Sequence, residues 1–280
     1  MKPLIFSNLF IAAAATAFTH ESYVLLGGEP HWALLVLVFS STLVVYNLDR
    51  LSDASSEDEI DKTDRHRWID EHRRFLLSMT GSAVCAGLLS LVFLPFDVIV
   101  ALVPLGVVSL AYSLPVLWGR AGPYRLKDIA GLKIFLIAFV WSGATAALPA
   151  VELFDNPLQP AVVALLAERA VFIFALTLPF DVRDMERDRA SEIWTIPLAI
   201  GVERTRRLAL AVIGVFVAIV FVHYGFSLQG ATVPLVASAL VTFALVSNAD
   251  ENQSELYYVG QLDGMMALQW LFVVAWVWAA

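Results

Sequence analysis

The stretch from 159 to 188, QPAVVALLAERAVFIFALTLPFDVRDMERD, decides what kind of fold this chain can adopt. Its first part, from about 159 to 180, is apolar and long enough to cross a membrane core, which needs roughly 20 residues. Three aspartates, Asp181, Asp184 and Asp188, follow directly. A second apolar run, from about 31 to 48, ends similarly in the segment Asn47-Leu48-Asp49-Arg50-Leu51-Ser52-Asp53. Each stretch therefore predicts a carboxylate cluster at the end of a membrane-spanning helix.

The acidic pairs in the two segments have the same spacing. Asp49 and Asp53 are four residues apart, as are Asp184 and Asp188, so on a helical end each pair projects from one face. Proteins usually hold Mg²⁺ with one or two carboxylates plus substrate phosphates. Two such pairs at one membrane surface predict a diphosphate bridged by Mg²⁺. The candidate catalytic and metal-binding residues are Asp49, Asp53, Asp184 and Asp188, with Asp181 as a further metal ligand.

The composition is typical of polytopic membrane proteins. Of the 280 residues, 59 % are hydrophobic and 16 % are charged, and the mean hydropathy is +0.74. The lone Cys85 excludes a disulfide framework and a thiolate metal site. We expect an all-α bundle of nine transmembrane helices around a central cavity, forming one domain over residues 1–280, with membrane lipid but no nucleic acid among its partners. The apolar runs lie at about 4–26, 31–48, 75–95, 98–117, 128–149, 159–180, 205–226, 230–248 and 261–280.

Basic residues lie in every second loop between the predicted spans. The alternate loops, around 27–30, 95–97, 152–157 and 226–230, contain no Lys or Arg. The positive-inside rule then predicts a cytoplasmic N-terminus, cytoplasmic acidic motifs and an external C-terminus. We therefore expect a multi-pass integral protein of a prokaryotic plasma membrane. The loop 248–261 fits less well, because it is predicted to be cytoplasmic but is acidic and has no basic residue.

Several side chains beside the acids are placed to contact phosphate oxygens. Lys133 is the most informative, because it lies inside the fifth apolar run, where a charge is costly and marks a function or a partner. Alternatively, it snorkels to the headgroups, which lie about one to two turns away. Glu168 and Arg169 lie inside the sixth run, and we expect each to pair with another span or to reach the external interface. The candidate diphosphate-binding residues are Asn47, Arg50, Lys127, Lys133 and Arg183.

The second acidic segment resembles that of the UbiA superfamily of intramembrane prenyltransferases. The resemblance rests on Asp181-Val182-Arg183-Asp184-x-x-x-Asp188-Arg189-Ala190 and on the trailing Thr195-Ile196-Pro197-Leu198-Ala199-Ile200-Gly201. The nine predicted spans and the segment from Lys127 to Lys133 extend the likeness over nearly the whole chain.

Two positions differ from the family pattern. The first motif of the family is usually Asn-Asp-x-x-Asp-x-x-x-Asp, whereas here Leu48 follows Asn47 and the acids fall at 49, 53 and 57. In the second segment, Trp194 stands where a basic residue is common in the family.

The resemblance implies Mg²⁺-dependent ionisation of a prenyl diphosphate and transfer of the isoprenyl group to a lipophilic or aromatic acceptor within the bundle. The acids would hold Mg²⁺, and the metal and the basic residues would stabilise the departing pyrophosphate. Family acceptors include quinone precursors, other aromatic rings, tetrapyrroles and glycerol-phosphate lipids.

Two other functions stay open on the sequence alone. A terpene cyclase built on the same scaffold would act on a prenyl diphosphate without an external acceptor, and the altered first motif slightly favours it. An ion-coupled membrane transporter would also use carboxylates within a membrane. Transporter sites, however, usually lie near the bilayer midplane, whereas these acids cluster at one face.

Overall fold

The computed structural model describes residues 2–54, 64–119, 122–190, 193–226 and 230–279, which fold into a bundle of helices. Within these residues the only sheet is a hairpin of two antiparallel strands, β1 (Leu117–Gly119) and β2 (Gly122–Tyr124). A 3₁₀ turn (Leu126–Asp128) and two π-helical segments (Gly143–Ala147 and Tyr257–Leu262) interrupt the α-helical pattern. The α-helices are α1 (Lys2–Phe6), α2 (Leu9–Leu26), α3 (Trp32–Ala54), α4 (Asp64–Glu71), α5 (Arg73–Leu91), α6 (Phe96–Ser113), α7 (Lys133–Ser142), α8 (Leu148–Leu153), α9 (Pro160–Arg183), α10 (Met185–Ala190), α11 (Ile196–Ile200), α12 (Val202–Tyr224), α13 (Thr232–Ser247) and α14 (Asp263–Ala279).

Eight helical segments of the described chain are long and apolar enough to cross a membrane. Two of them, Lys133–Leu153 and Tyr257–Ala279, run continuously through a π-helical segment. The run predicted at 230–248 forms α13, whose 16 residues give a length of about 24 Å, shorter than the roughly 30 Å of a bilayer core. The chain is thus an all-α, polytopic membrane protein, as predicted. The number of nine spans and the cytoplasmic side of the motifs stay predictions.

Helix α9 is enclosed by its neighbours and carries the second acidic segment at its end. Its buried side chains include Leu165, Phe172 and Leu178, and it packs against α7 and α12. Helices α5 and α6 instead leave apolar side chains such as Leu88 and Val107 exposed, as expected where a helix faces lipid. The acids at the end of α9 are therefore delivered to the interior of the bundle and not to its lipid-facing surface.

The end of the bundle opposite to the acidic segments contains two side-chain contacts that join helices, a buried ion pair and a contact between a histidine and a glutamate. Arg169 Nη2 lies 3.2 Å from Glu21 Oε1, which joins α9 to α2. His223 Nδ1 lies 2.7 Å from Glu168 Oε1, which joins α12 to α9. The guanidinium carbon of Arg169 also lies 3.5 Å from the centre of the Phe18 ring. The prediction that Glu168 and Arg169 each pair with another span is confirmed.

Removal of one partner from the buried pair between α2 and α9 is expected to destabilise the protein. In Glu21→Gln or Arg169→Gln the other charge is left buried without a counter-charge, which costs about 3–5 kcal/mol. The exposed pair of Arg207 and Glu203, which lie 2.8 Å apart, offers a control, because Arg207→Gln should leave stability unchanged. The measurement is the thermal unfolding midpoint in detergent micelles. Equal midpoints for Arg169→Gln and Arg207→Gln would contradict a stabilising role for the buried pair.

Candidate active site

The ends of α3 and α9 both contact a short segment that carries two lysines. Lys127, in the 3₁₀ turn, places its Nζ atom 2.5 Å from Asp49 Oδ1 of α3. Lys133, the first residue of α7, places its Nζ atom 2.9 Å from Asp181 Oδ1 and 3.6 Å from Asp184 Oδ2. One segment of chain thus neutralises carboxylates from both acidic segments, which lie together at one end of the bundle. Lys133 does not simply extend to the headgroups, because its ammonium group is engaged by these acids.

Asp184 is surrounded by basic side chains. Arg183 donates to it twice, from Nε to Oδ1 at 2.7 Å and from Nη2 to Oδ2 at 3.1 Å. Burial opposes ionisation of Asp184, but the charges of Arg183 and Lys133 outweigh it and hold the pKa of this carboxyl well below its usual range. Arg50 lowers the same pKa further. Since Arg50 belongs to the first acidic segment, the two segments interact electrostatically, and Asp184 is ionised at neutral pH.

Asp188 has a different environment, one turn further along the chain. Its backbone N–H donates to the Asp184 carbonyl oxygen at 2.9 Å, while its side chain is buried and its Oδ2 atom has no hydrogen-bond partner among the described residues. Burial raises the pKa of Asp188 to about 6; Lys133 opposes this shift, and the charges of Asp184 and Asp181 add to it. A buried carboxylate oxygen without a partner is costly, so this atom is suited to bind a cation.

The donor atoms at this end of the bundle are oxygens of the kind that binds Mg²⁺, but they do not form a complete coordination shell. Within the described residues, no group of three His, Cys, Asp or Glu side chains is placed to hold a metal ion on its own. Mg²⁺ does not require one, because it usually keeps several waters and binds one or two carboxylates plus substrate phosphates. The unpartnered Oδ2 of Asp188 and the neighbouring ionised Asp184 supply such ligands. The site therefore suits a metal that arrives together with a phosphate group.

The predicted residues of the first segment have different surroundings. Arg50 has a buried Nε atom without a hydrogen-bond partner in the described part of the chain, so this donor is available to a ligand. Asn47 is 2 % exposed; its Oδ1 accepts from Asn8 Nδ2 at 2.8 Å and its Nδ2 donates to Thr80 Oγ1 at 3.0 Å. Its amide thus joins α3 to α5 and to the start of α2, and contact with a diphosphate stays a prediction for it. The side chain of Asp53 lies outside the described residues.

The start of the last span contributes groups to the site that are not among the predicted site residues. The π-helical segment Tyr257–Leu262 brings Tyr258 to the Arg183 guanidinium, whose carbon lies 5.3 Å from the ring centre. Glu255 and Asp263 also interact electrostatically with Arg183. The acidic character of the loop 248–261 therefore has a physical reason, since its end faces a basic side chain. The signal was present in the sequence as an acidic loop that did not fit the charge pattern.

A small cleft opens between the lysine segment and the chain that follows the second acidic segment. The cleft is narrow and partly open to solvent, and it is lined by both charged and apolar side chains. Its lining residues are Lys127, Ile129, Gly131, Lys133, Ile134, Asp181, Ile193, Trp194, Thr195 and Ile196. Two lysines and an aspartate of the site therefore line this cleft.

The chain matches several solved membrane proteins in fold. No protein-family model and no curated protein matches its sequence. A UbiA homologue from Archaeoglobus fulgidus bound to GPP and Mg²⁺ superposes with a TM-score of 0.68 at 14 % identity, covering 99 % of both chains. The same homologue bound to DMAPP and Mg²⁺ gives a TM-score of 0.67 at 12 % identity over 100 % of both chains. A digeranylgeranylglyceryl phosphate synthase gives 0.61 at 14 % identity over 99 % of both chains. The end-to-end coverage establishes that this chain has the UbiA fold.

Proposed function

We propose that this protein is a Mg²⁺-dependent intramembrane prenyltransferase, which transfers an isoprenyl group from a prenyl diphosphate to a lipophilic or aromatic acceptor. The observation that carries the proposal is the pairing of Lys127 and Lys133 with carboxylates from both acidic segments at one end of an apolar bundle. Solved structures of the same fold contain GPP or DMAPP together with Mg²⁺, which supports this substrate class.

The balance of charge in the site supports a requirement for Mg²⁺. Four carboxylates that the sequence singled out and the structure describes lie among four basic side chains from the same set. They are Asp49, Asp181, Asp184 and Asp188, with Arg50, Lys127, Lys133 and Arg183. A diphosphate adds negative charge to a partly buried site in which these acids and bases are equal in number and to which Glu255 and Asp263 add two acids, so its binding needs a further cation. When bound, Mg²⁺ supplies that charge and stabilises the departing pyrophosphate.

The basic side chains have the geometry to bind the diphosphate oxygens. Lys127 and Lys133 line the cleft from one side, and their ammonium groups each have several donors to share. Arg50 adds a buried donor that has no partner among the described residues. Arg183 stays locked on Asp184 by two hydrogen bonds, so it orients that carboxylate and does not itself need to reach the substrate. The acids would in turn hold the metal.

The reaction begins with the break of the bond between the allylic carbon and the diphosphate oxygen. The electron pair leaves with the pyrophosphate, whose growing negative charge is stabilised by the lysines and by Arg50. The allylic cation then forms a new carbon bond with the acceptor, which loses a proton. The apolar spans below the site would hold the isoprenyl chain and exclude bulk water from the cation. We propose that this end of the bundle faces the cytoplasm of a prokaryotic cell, in line with the basic loops.

Removal of a carboxylate from the second segment is expected to abolish turnover. Asp184→Asn and Asp188→Asn should lower the rate of pyrophosphate release from GPP or DMAPP by roughly 100-fold or more, because each removes a negative charge that would bind Mg²⁺. Asp49→Asn should reduce the rate less. Glu251→Gln, in an exposed acid of the loop 248–261, is the control and should retain the rate of the unmodified protein. Normal turnover in the two former variants would remove both residues from the site.

The role of Lys133 is tested by a pair of variants. Lys133→Met should lower kcat/KM for a prenyl diphosphate by about tenfold or more, because a charge-assisted contact to phosphate is lost. The double variant Lys133→Met with Asp181→Asn removes both charges of the pair and so restores electrical balance at that point. If Lys133 binds substrate, the double variant stays as slow as Lys133→Met. Recovery of activity in the double variant would mean that Lys133 serves only to neutralise Asp181.

Product analysis separates the proposed transferase from a cyclase. The purified protein is incubated with Mg²⁺, GPP or DMAPP and a panel of aromatic or lipid acceptors. The masses of the products are measured by mass spectrometry. A transferase adds the mass of the isoprenyl group to an acceptor, and chelation of Mg²⁺ with EDTA should stop the reaction. A cyclised hydrocarbon formed at the same rate without acceptor would instead identify a terpene cyclase.

A further inference from the structure

The chain that follows the second acidic segment is fixed against both walls of the cleft. The Ile193 backbone N–H donates to the Asp188 carbonyl oxygen at 2.9 Å, so this chain begins on the acidic segment. The Gly131 backbone N–H donates to the Trp194 carbonyl oxygen at 3.1 Å, so the same chain is also bonded to the segment that carries the two lysines. Trp194 therefore stands at the point where the acidic wall and the basic wall meet.

The Trp194 ring occupies the space that a side chain at position 131 would need. A Cβ atom built on Gly131 would lie 2.7 Å from Trp194 Cζ3 and 3.1 Å from Cε3, which is closer than real Cβ contacts. Gly131 also has φ +71°, a conformation that favours glycine. The ring is thus in direct contact with the backbone of the lysine segment. It is 51 % exposed, so one part of the ring lines the cleft while the rest faces outward.

Beside this ring the cleft contains the buried hydroxyl group of Thr195. The Thr195 side chain is 3 % exposed, and its hydroxyl oxygen has no hydrogen-bond partner among the described residues. The hydroxyl does not cap α11, although Thr195 occupies the position before that helix where such a bond is common. A buried hydroxyl without a partner costs free energy, which is recovered if a ligand atom binds there. Two of the three charged side chains that line the cleft, Lys127 and Lys133, are basic and can donate to an anion, and the third is Asp181.

We infer that Trp194 is a lid over the phosphate cleft and that Thr195 donates a hydrogen bond to a phosphate oxygen beneath it. The inference rests on the proposed function, since the anion is the diphosphate of the substrate and, after ionisation, the pyrophosphate. The indole ring, which packs against Gly131 and lines the cleft, keeps water from the charges inside, where electrostatic attraction is stronger than in water. Trp194 is a positioning residue, because it acts by closing the cleft and not by contact with the reacting carbon.

This arrangement has a direct consequence for the partition of the allylic cation. While the ring closes the cleft, the pyrophosphate is retained and water does not enter from that side. When the ring is absent, pyrophosphate dissociates more readily and water competes with the acceptor for the cation, which forms a prenyl alcohol. The lid therefore affects two measurable quantities, the affinity for inorganic pyrophosphate and the fraction of alcohol among the products.

The first experiment replaces the ring. Trp194→Ala should weaken inhibition by inorganic pyrophosphate with Mg²⁺ by roughly tenfold and raise the fraction of prenyl alcohol, whereas Trp194→Phe, which retains a ring, should change both less. Trp118→Ala is the control, because Trp118 is an 81 % exposed tryptophan of the nearby hairpin. If the inhibition by pyrophosphate and the fraction of prenyl alcohol are both within twofold for Trp194→Ala and Trp118→Ala, Trp194 is not a lid.

The second experiment displaces the ring and removes the hydroxyl. Gly131→Ala places a methyl group where the ring lies and also strains the backbone at a positive φ, so it should weaken pyrophosphate inhibition at least as much as Trp194→Ala, and the double variant should be no worse than Gly131→Ala alone. Thr195→Val should weaken pyrophosphate inhibition by about tenfold, while Thr195→Ser, which keeps the hydroxyl, should not. Additive effects in the double variant would contradict a shared contact between the ring and position 131. Equal inhibition of Thr195→Val and the unmodified protein would contradict the hydrogen bond.

Calorimetric binding of inorganic pyrophosphate with Mg²⁺ separates this inference from the proposed function. It needs no turnover, so it can be compared between the unmodified protein, Trp194→Ala and Thr195→Val. If the unmodified protein binds pyrophosphate and the variants bind less tightly, the inference stands even if neither GPP nor DMAPP is consumed. If all three bind equally, the inference fails while the proposed function stands. If none binds, both fail.

Discussion

Two ammonium groups from one short segment hold the acidic ends of α3 and α9 together. Carboxylates that lie close to one another repel strongly where the dielectric is low, and burial adds a desolvation cost. Lys127 and Lys133 remove much of that repulsion, because each lies within reach of an acid from a different helix. The bundle brings these three parts of the chain to one end: α9 is enclosed by its neighbours, and α3 is joined to α5 through the amide of Asn47.

The same contacts explain how a charged site can exist in a largely apolar protein. A single uncompensated charge in a span is costly, whereas acids and bases that neutralise each other can stay partly buried and preorganised. Among the predicted site residues that the structure describes, the acids and the bases are equal in number. This balance of charge is the physical basis for the proposed requirement for Mg²⁺.

The sequence predicts the helices well, because a bilayer leaves the backbone few alternatives to the helix. It also identifies Lys133, since a charge inside an apolar run stands out. It does not predict that the Asn47 amide would bind Asn8 and Thr80, which are 39 and 33 residues away, because side-chain partners depend on how helices lie beside each other. For the same reason the contact of Trp194 with the lysine segment was not apparent, although Trp194 itself stood out as unusual.

Side-chain contacts join three helices at the end of the bundle that lies far from the acidic segments. Arg169 joins α9 to α2 through Glu21, and Glu168 joins α9 to α12 through His223. Separation of α9 from α2 is therefore costly at this end of the bundle, because it would leave a buried charge without its partner. Helix α9 is thus anchored to its neighbours through Glu168 and Arg169, while its other end carries carboxylates that contact Lys133.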